Sequence, residues 1–203
     1  MSTHMHGGAQ NPAPGEGHDD GAALVDALRD ATAAGRPQEA IALAGAVAEL
    51  SHELGPEDHR VLGARFHLAR AHRAAGDPAS AVTLLEQVVA GTERLLGAEA
   101  PQSLTARSAL AGACADAGRA REAVALHERI VDDAAGILGR RHPDALSARN
   151  NLARACEAAG DIPRARSLDE ALVSDAEAVL DAAHPYLTLF RRNRDRLRSS
   201  AQR

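Results

Sequence analysis

From residue 21 onward, apolar residues recur at the three- and four-residue steps of an amphipathic helix, and no segment sustains the alternation of a strand. The clearest stretch lies near the C-terminus. Residues 147–159 (SARNNLARACEAA) are helix-forming and end at Gly160, a residue type that accepts the left-handed conformation closing a helix. Asp161 or Pro163 then supplies start chemistry for a second helix, running to about Leu180. Along it Ala165, Leu168, Leu172 and Val179 share one face at spacings of 3, 4 and 7. The pattern predicts a helical hairpin.

That hairpin is the fourth of a series. Leu-Gly stands at 54–55, 96–97 and 138–139, with Leu180-Asp181 in the fourth place, each step being 42 residues. Leu62, Leu104 and Leu146 keep the step, as do Leu68, Leu110 and Leu152, and Arg65, Arg107, Arg149 and Arg191. A turn glycine recurs at Gly35, Gly76, Gly118 and Gly160, and small residues follow at Ala40, Ala81, Ala123 and Ala165. So many columns in one register define a repeat array. The expected architecture is all-α, with four repeats at about 21–57, 58–99, 100–141 and 142–183 and a final helix at 184–203. Residues 1–20 hold no Leu, Ile or Val and read as a disordered tail, its His4, His6 and His18 solvated rather than metal-bound.

One hairpin cannot cover its own apolar face, so stacked neighbours must supply the core. Ala69, Ala111 and Ala153 on first helices are expected to meet Ala81, Ala123 and Ala165 on second helices, leaving little room for rings. His142-Pro143 and His184-Pro185 punctuate the links, because a residue before proline is steered away from helical angles. Repeats two and three carry Asp58-His59 and Ala100-Pro101 instead, so those two links are expected to sit differently.

Composition narrows the chemistry. All 23 basic residues are arginine, which excludes a Schiff-base lysine and a phosphate-loop lysine. With Phe66, Tyr186 and Phe190 as the aromatics and a net charge of −5, stacking on single-stranded nucleic acid and broad phosphate binding are not expected. No stretch approaches 18 apolar residues, no signal-peptide core is present, and the cytoplasm is the expected location. Cys114 and Cys156, one repeat apart, should lie about 10 Å from each other, beyond the roughly 7 Å that a disulfide spans. They read as buried thiols. His67 and His72 are five apart and His52 and His59 seven apart, neither placing two metal ligands side by side on a helix. Glu39, Glu86, Glu128 and Glu170 have no evident partner base, and no nucleophile elbow occurs. No enzyme, cofactor or metal is expected.

The strings LGRRHPDALSARNNLA and HPDALSARNNLARACEAAGDIPRARSLDEAL, with Leu68-Ala69, Leu110-Ala111 and Leu152-Ala153, carry a resemblance. The chain resembles the tetratricopeptide repeat (TPR) in its 42-residue, kinesin-light-chain-like form. Repeat one departs, with Ala27-Leu28 in place of Leu-Ala and a period one residue short, as an atypical end unit would. The resemblance implies a right-handed superhelical solenoid, capped by the last helix, whose concave groove is lined by first helices and holds a peptide. Projected onto groove-facing positions it implies Arg29, Phe66, His67, Arg70, Arg73, Thr105, Ser108, Asn150, Asn151, Arg154 and Glu157, then Arg192, Asn193 and Arg196 at the cap. Arg29, Arg70, Arg154 and Arg196 share a column in which repeat three has Gly112. Arginine forks suit carboxylates, and asparagine amides can hold an extended backbone from both sides. The Arg65, Arg107, Arg149, Arg191 column, which recurs from repeat two to the final helix, is expected instead to bond backbone or acids between repeats. The run Arg191, Arg192, Arg194, Arg196 and Arg198 reads as a polar cap.

The leading expectation is therefore a non-catalytic cytoplasmic adaptor that binds a partner's acidic segment. Two alternatives stand beside it. One is a trans-acting regulatory or sensor module of a bacterial transcription or signalling system. The other is a structural element that self-associates into a homodimer through its end repeats.

Overall fold

The computed structural model describes residues 17–200, and among these every element is a helix. Helices α1 (Gly17–Ala33), α2 (Pro37–Ala42) and α3 (Ala44–Leu54) open the array. Three long antiparallel pairs follow: α4 (His59–Ala74) with α5 (Pro78–Leu96), α6 (Pro101–Asp116) with α7 (Ala120–Leu138), and α8 (Pro143–Ala158) with α9 (Ile162–Glu177). Helix α10 (Pro185–Ser200) ends it. From α4 onward each helix packs on the next, and the first helices α4 and α6 also touch each other. The expected tail lies outside the described residues up to residue 16, whereas residues 17–20 already belong to α1.

Column by column, the leucines and alanines become the core. Leu62, Leu68, Leu110, Leu146 and Leu152 are buried, and Leu104 is half-buried. Ala69, Ala111, Ala153, Ala81, Ala123 and Ala165 are all buried as well. Ala69 and Ala81 share one cluster with Leu85, Leu110 and Cys114, so α4, α5 and α6 meet over small side chains. Cys114 and Cys156 are buried free thiols, and burial pushes both up from the usual thiol range. At the cap, Leu187 and Phe190 cluster with Leu146 and Leu172, and Leu197 joins a separate cluster with Leu152, Cys156 and Ala165.

Each first helix ends in the same closure. Gly76 has φ +82, its N–H donates to Arg73 O at 3.1 Å, and the Asp77 N–H donates to His72 O at 2.9 Å. Gly118 and Gly160 repeat this pair of bonds, which satisfies the last carbonyls and turns the chain back. The links that start first helices are more uniform than the sequence suggests. Asp58, Ala100 and His142 occupy one column as N-caps, with φ/ψ of −59/136, −63/142 and −63/142. The expectation that links two and three differ is thus corrected, because the backbone is the same. Only the capping group changes: Asp58 Oδ1 accepts from the Arg60 N–H at 2.8 Å, His142 Nδ1 accepts from the Asp144 N–H at 3.2 Å, and Ala100 offers nothing.

Repeat one is atypical for a traceable reason. Gly35 to Gly55 spans 20 residues, where Gly76 to Gly97 and Gly118 to Gly139 span 21, so the missing residue lies within the second helix. There the helix breaks at Leu43 into α2 and α3, the Leu43 N–H tightening onto Ala40 O at 3.1 Å.

The arginine column staples the repeats together, as expected of it. Arg107 is fully buried; its guanidinium donates to Glu93 Oε1 at 2.7 Å, to Ala98 O at 3.1 Å and to Asp133. Arg149 donates to Asp175 at 2.8 Å and to Arg140 O, and Arg191 to Glu177 at 2.8 Å. Arg65, which has Gly91 where the later repeats have Asp133 and Asp175, donates to Pro56 O and Ser51 Oγ. Each staple joins the start of a first helix to the ends of second helices.

Candidate functional site

The first helices α4, α6 and α8 present one side jointly, and most of the projected groove residues stand there. Phe66 and His67 meet edge-on, ring centroids 5.6 Å apart, and both are half-buried. His67 Nδ1 is buried with no hydrogen-bond partner; burial, with Arg70 and Arg29 nearby, holds this imidazole below its usual pKa. Arg70 is exposed and makes no ion pair among the described residues. Arg73 pairs with Asp116 across to α6. Arg29 turns to its own helix, 2.8 Å from Asp26. Thr105 and Arg192 are exposed, and Ser108 is half-buried.

Between α6 and α8 the surface sinks into a recess of about 380 Å³, lined by Arg73, Ser108, Gly112, Ala115, Asp116, His127, Asn151 and Arg154 among others. A Cβ on Gly112 would stand 3.1 Å from Arg73 Nη1, so the missing side chain is what lets that guanidinium lie across the helix. Arg154 is exposed and Asn151 half-buried; neither side chain has a polar partner among the described residues. His127 is 9% exposed, its Nδ1 unpartnered, and burial and Arg154 together lower its pKa. Asp116 is already matched by Arg73, so with a neutral His127 the lining carries one uncompensated positive charge, that of Arg154.

A second recess, of about 660 Å³, is mostly apolar. It is lined by Leu62, Phe66, Val88, Leu95, Leu96 and Thr105 among others, where α5 ends between α4 and α6. Leu95 and Leu96 are half exposed there.

The tetratricopeptide repeat model matches residues 29–94 and 102–178, which is more than half of the chain. The chain belongs to the tetratricopeptide repeat family. The crystal structure of the kinesin light chain nearly identical TPR-like repeats from Podosopora anserina is similar at 33% identity, with a TM-score of 0.80 over 90% of this chain and 87% of that one. A single-substitution form of the same protein matches equally. BtubC (BKLC) from P. vanneervenii shares the fold, at 14% identity and a TM-score of 0.62 over 91% of this chain and 84% of that one. No curated protein matches the sequence.

TPR repeats mediate protein–protein interaction as non-enzymatic scaffolds. In this TPR chain the second-helix acids Glu39, Glu86, Glu128 and Glu170 are all ion-paired, with Arg36, Arg119, Arg164 and Arg198. Among the described residues no helix is long and apolar enough to cross a membrane, and no group of three or more His, Cys, Asp or Glu is placed to hold a metal ion.

At the C-terminal end the projected residues do not face a partner as the sequence reading has them. Asn150 and Asn193 are buried, and Asn193 Nδ2 donates to Asn150 Oδ1 at 2.9 Å. These two amides, on α8 and α10, share one hydrogen bond with each other. Glu157 and Arg196 form a two-pronged ion pair, Nη2 to Oε2 being 2.6 Å. Asp169 is buried beside them; burial, with Glu157 close by, raises its pKa to about 6. Sequence reasoning missed His127, Leu95 and Leu96. His127 stands 42 residues after the core Leu85 and 42 before the buried Asp169, and that replacement of a core leucine by polar residues was the available signal.

Proposed function

We propose that this TPR chain is a non-catalytic cytoplasmic adaptor whose first-helix side forms a groove for an extended, acidic segment of a protein partner. The observation that carries the reading is the pairing of Arg154 and Asn151 in one recess, both without polar partners among the described residues. On the same side, Arg73 and Arg196 are matched by the chain's own carboxylates, whereas Arg70, like Arg154, makes no ion pair among the described residues. The packed helices fix the backbone positions of Arg154 and Asn151, so the ordering cost on the adaptor is confined to the side chains themselves. Carboxylates suit the guanidinium, and peptide groups suit the amide.

The test is co-purification from native cells at low and high salt with wild-type protein and with Arg70→Ala plus Arg154→Ala. The reading expects a partner whose recovery falls with salt and with the double substitution, since exposed charge contacts are screened. Recovery indifferent to both rejects it.

A further inference from the structure

The repeat register shows which face of a first helix meets the repeat before it. On α4 this face is Val61, Ala64, Leu68 and Ala71, and on α8 it is Ala145, Ala148, Leu152 and Ala155, all buried. Ala64, Leu68 and Ala71 cluster with Leu28, Ala40 and Val47 of repeat one, and Ala145 and Ala148 with Ile130 and Ala134 of α7. Repeat one runs one residue short, so the same face of α1 is Asp20, Ala23, Ala27 and Asp30. All four are exposed. The face keeps the small residues of a helix crossing and carries a carboxylate at each end.

At the other end of the described array, α10 is a first helix with no second helix beside it. Its Thr188, Arg191, Asp195 and Arg198 stand where α8 has Leu146, Arg149, Ala153 and Cys156, all of them buried. Thr188, Asp195 and Arg198 are exposed, and Arg191 is partly so. The two uncovered faces carry opposite charge. Residues 20–33 hold Asp20, Asp26 and Asp30 against Arg29 alone. Arg29 answers Asp26 and Asp30, whereas Asp20 makes no ion pair among the described residues. Helix α10 holds Arg191, Arg192, Arg194, Arg196 and Arg198. Glu177, Asp195, Glu157 and Glu170 match four of these arginines, and the exposed Arg192 is left over.

We propose that the α1 face of one copy docks on the α10 face of a second copy, so that chains stack head to tail. The stems of Arg191 and Arg198 lie over Ala23 and Ala27, and their guanidinium heads are shared between Glu177 and Glu170 and the incoming Asp20 and Asp30. Ten residues of helix put the two aspartates about 15 Å apart and seven put the two arginines about 10 Å apart, a difference that arginine side chains span. Two α1 faces repel each other, as do two α10 faces. The contact is therefore heterologous, and each assembly keeps one free face at either end. A single helix-on-helix contact buries less than a stable dimer needs, so assembly is weak and concentration-dependent. The proposal does not rest on the groove reading.

The test is sedimentation velocity of the full chain from about 10 μM to about 1 mM, at low and at high salt. At low salt the average mass is expected to climb past the dimer, and high salt is expected to weaken the contact at least about tenfold. A monomer at every concentration, or growth that stops at the dimer, overturns the proposal.

Two variants block one end each: Ala23→Arg plus Ala27→Arg on α1, and Thr188→Glu plus Arg198→Glu on α10. All four positions are exposed, so both variants are expected to keep the wild-type melting midpoint. Each alone is expected to stay monomeric. Mixed in equal amounts they offer one intact face of each kind, and are expected to pair and stop at the dimer. Either variant assembling alone as wild type does, or a mixture that stays monomeric while wild type grows, overturns the pairing of these two faces.

Discussion

Arg107 Nη2 lies 2.7 Å from Glu93 Oε1, with the arginine side chain 1% exposed and the glutamate still in reach of water. The guanidinium also pairs with Asp133 on the next second helix, so one buried cation sits between two partly solvated acids and ties three helices together.

Removing that cation leaves two carboxylates facing an empty, desolvated space. Arg107→Ala is expected to cost about 3 kcal/mol, near the lower end for a broken buried pair because both acids keep some solvent. Arg191→Ala, in the same column but with its side chain 39% exposed, should change stability by less than about 1 kcal/mol. Urea unfolding of the two variants beside wild type measures the contrast.

Ala100 is an N-cap with cap backbone angles and no capping side chain. Asp58, in the same column, shows that an aspartate fits this geometry. Ala100→Asp is therefore expected to stabilise the protein by about 1 kcal/mol, read as a raised melting midpoint.

Asp169 gives stability a pH dependence of definite sign. Its folded pKa of about 6 lies above the usual aspartate value, so between those two values the folded state binds the proton more tightly than the unfolded chain does. The stabilisation is complete below about pH 4 and is lost as pH rises through about 6. Asp169→Asn should flatten that stretch of the stability profile and add about 1–2 kcal/mol at pH 7.5, with little effect at pH 4. Denaturant midpoints across pH 4–8 check it.

Ala153 is buried at the junction of α8 with its neighbours. Ala153→Phe is expected to overpack it and cost about 1–3 kcal/mol, seen as a lower melting midpoint. Ala158→Phe, at an exposed position of the same helix, is the matched control.

The fold was legible because its period is carried by residues whose reasons are local: glycines that close helices, small alanines at crossings, leucines facing inward. Even the structural role of Arg107 and Arg149 could be read from recurrence. The site was legible only in part, because a projected position says which way a residue faces and not what already answers it. Asn150 and Asn193 are 43 residues apart, and Glu157 and Arg196 are 39 apart, so their pairing depends on the stacking of α8 and α10. The break at Leu43 was likewise hidden, although the spacing from Gly35 to Gly55 recorded the missing residue.

The most direct measurement of the central claim is the affinity of a co-purified partner for four proteins: wild type, Arg70→Ala, Arg154→Ala, and a second-helix control, Arg121→Ala plus Arg129→Ala. Docking along the first helices predicts about tenfold weaker binding for each first-helix variant, steeper at low salt, and no change for the control. Equal affinity for the first-helix variants and wild type, or a loss confined to the control, would contradict it.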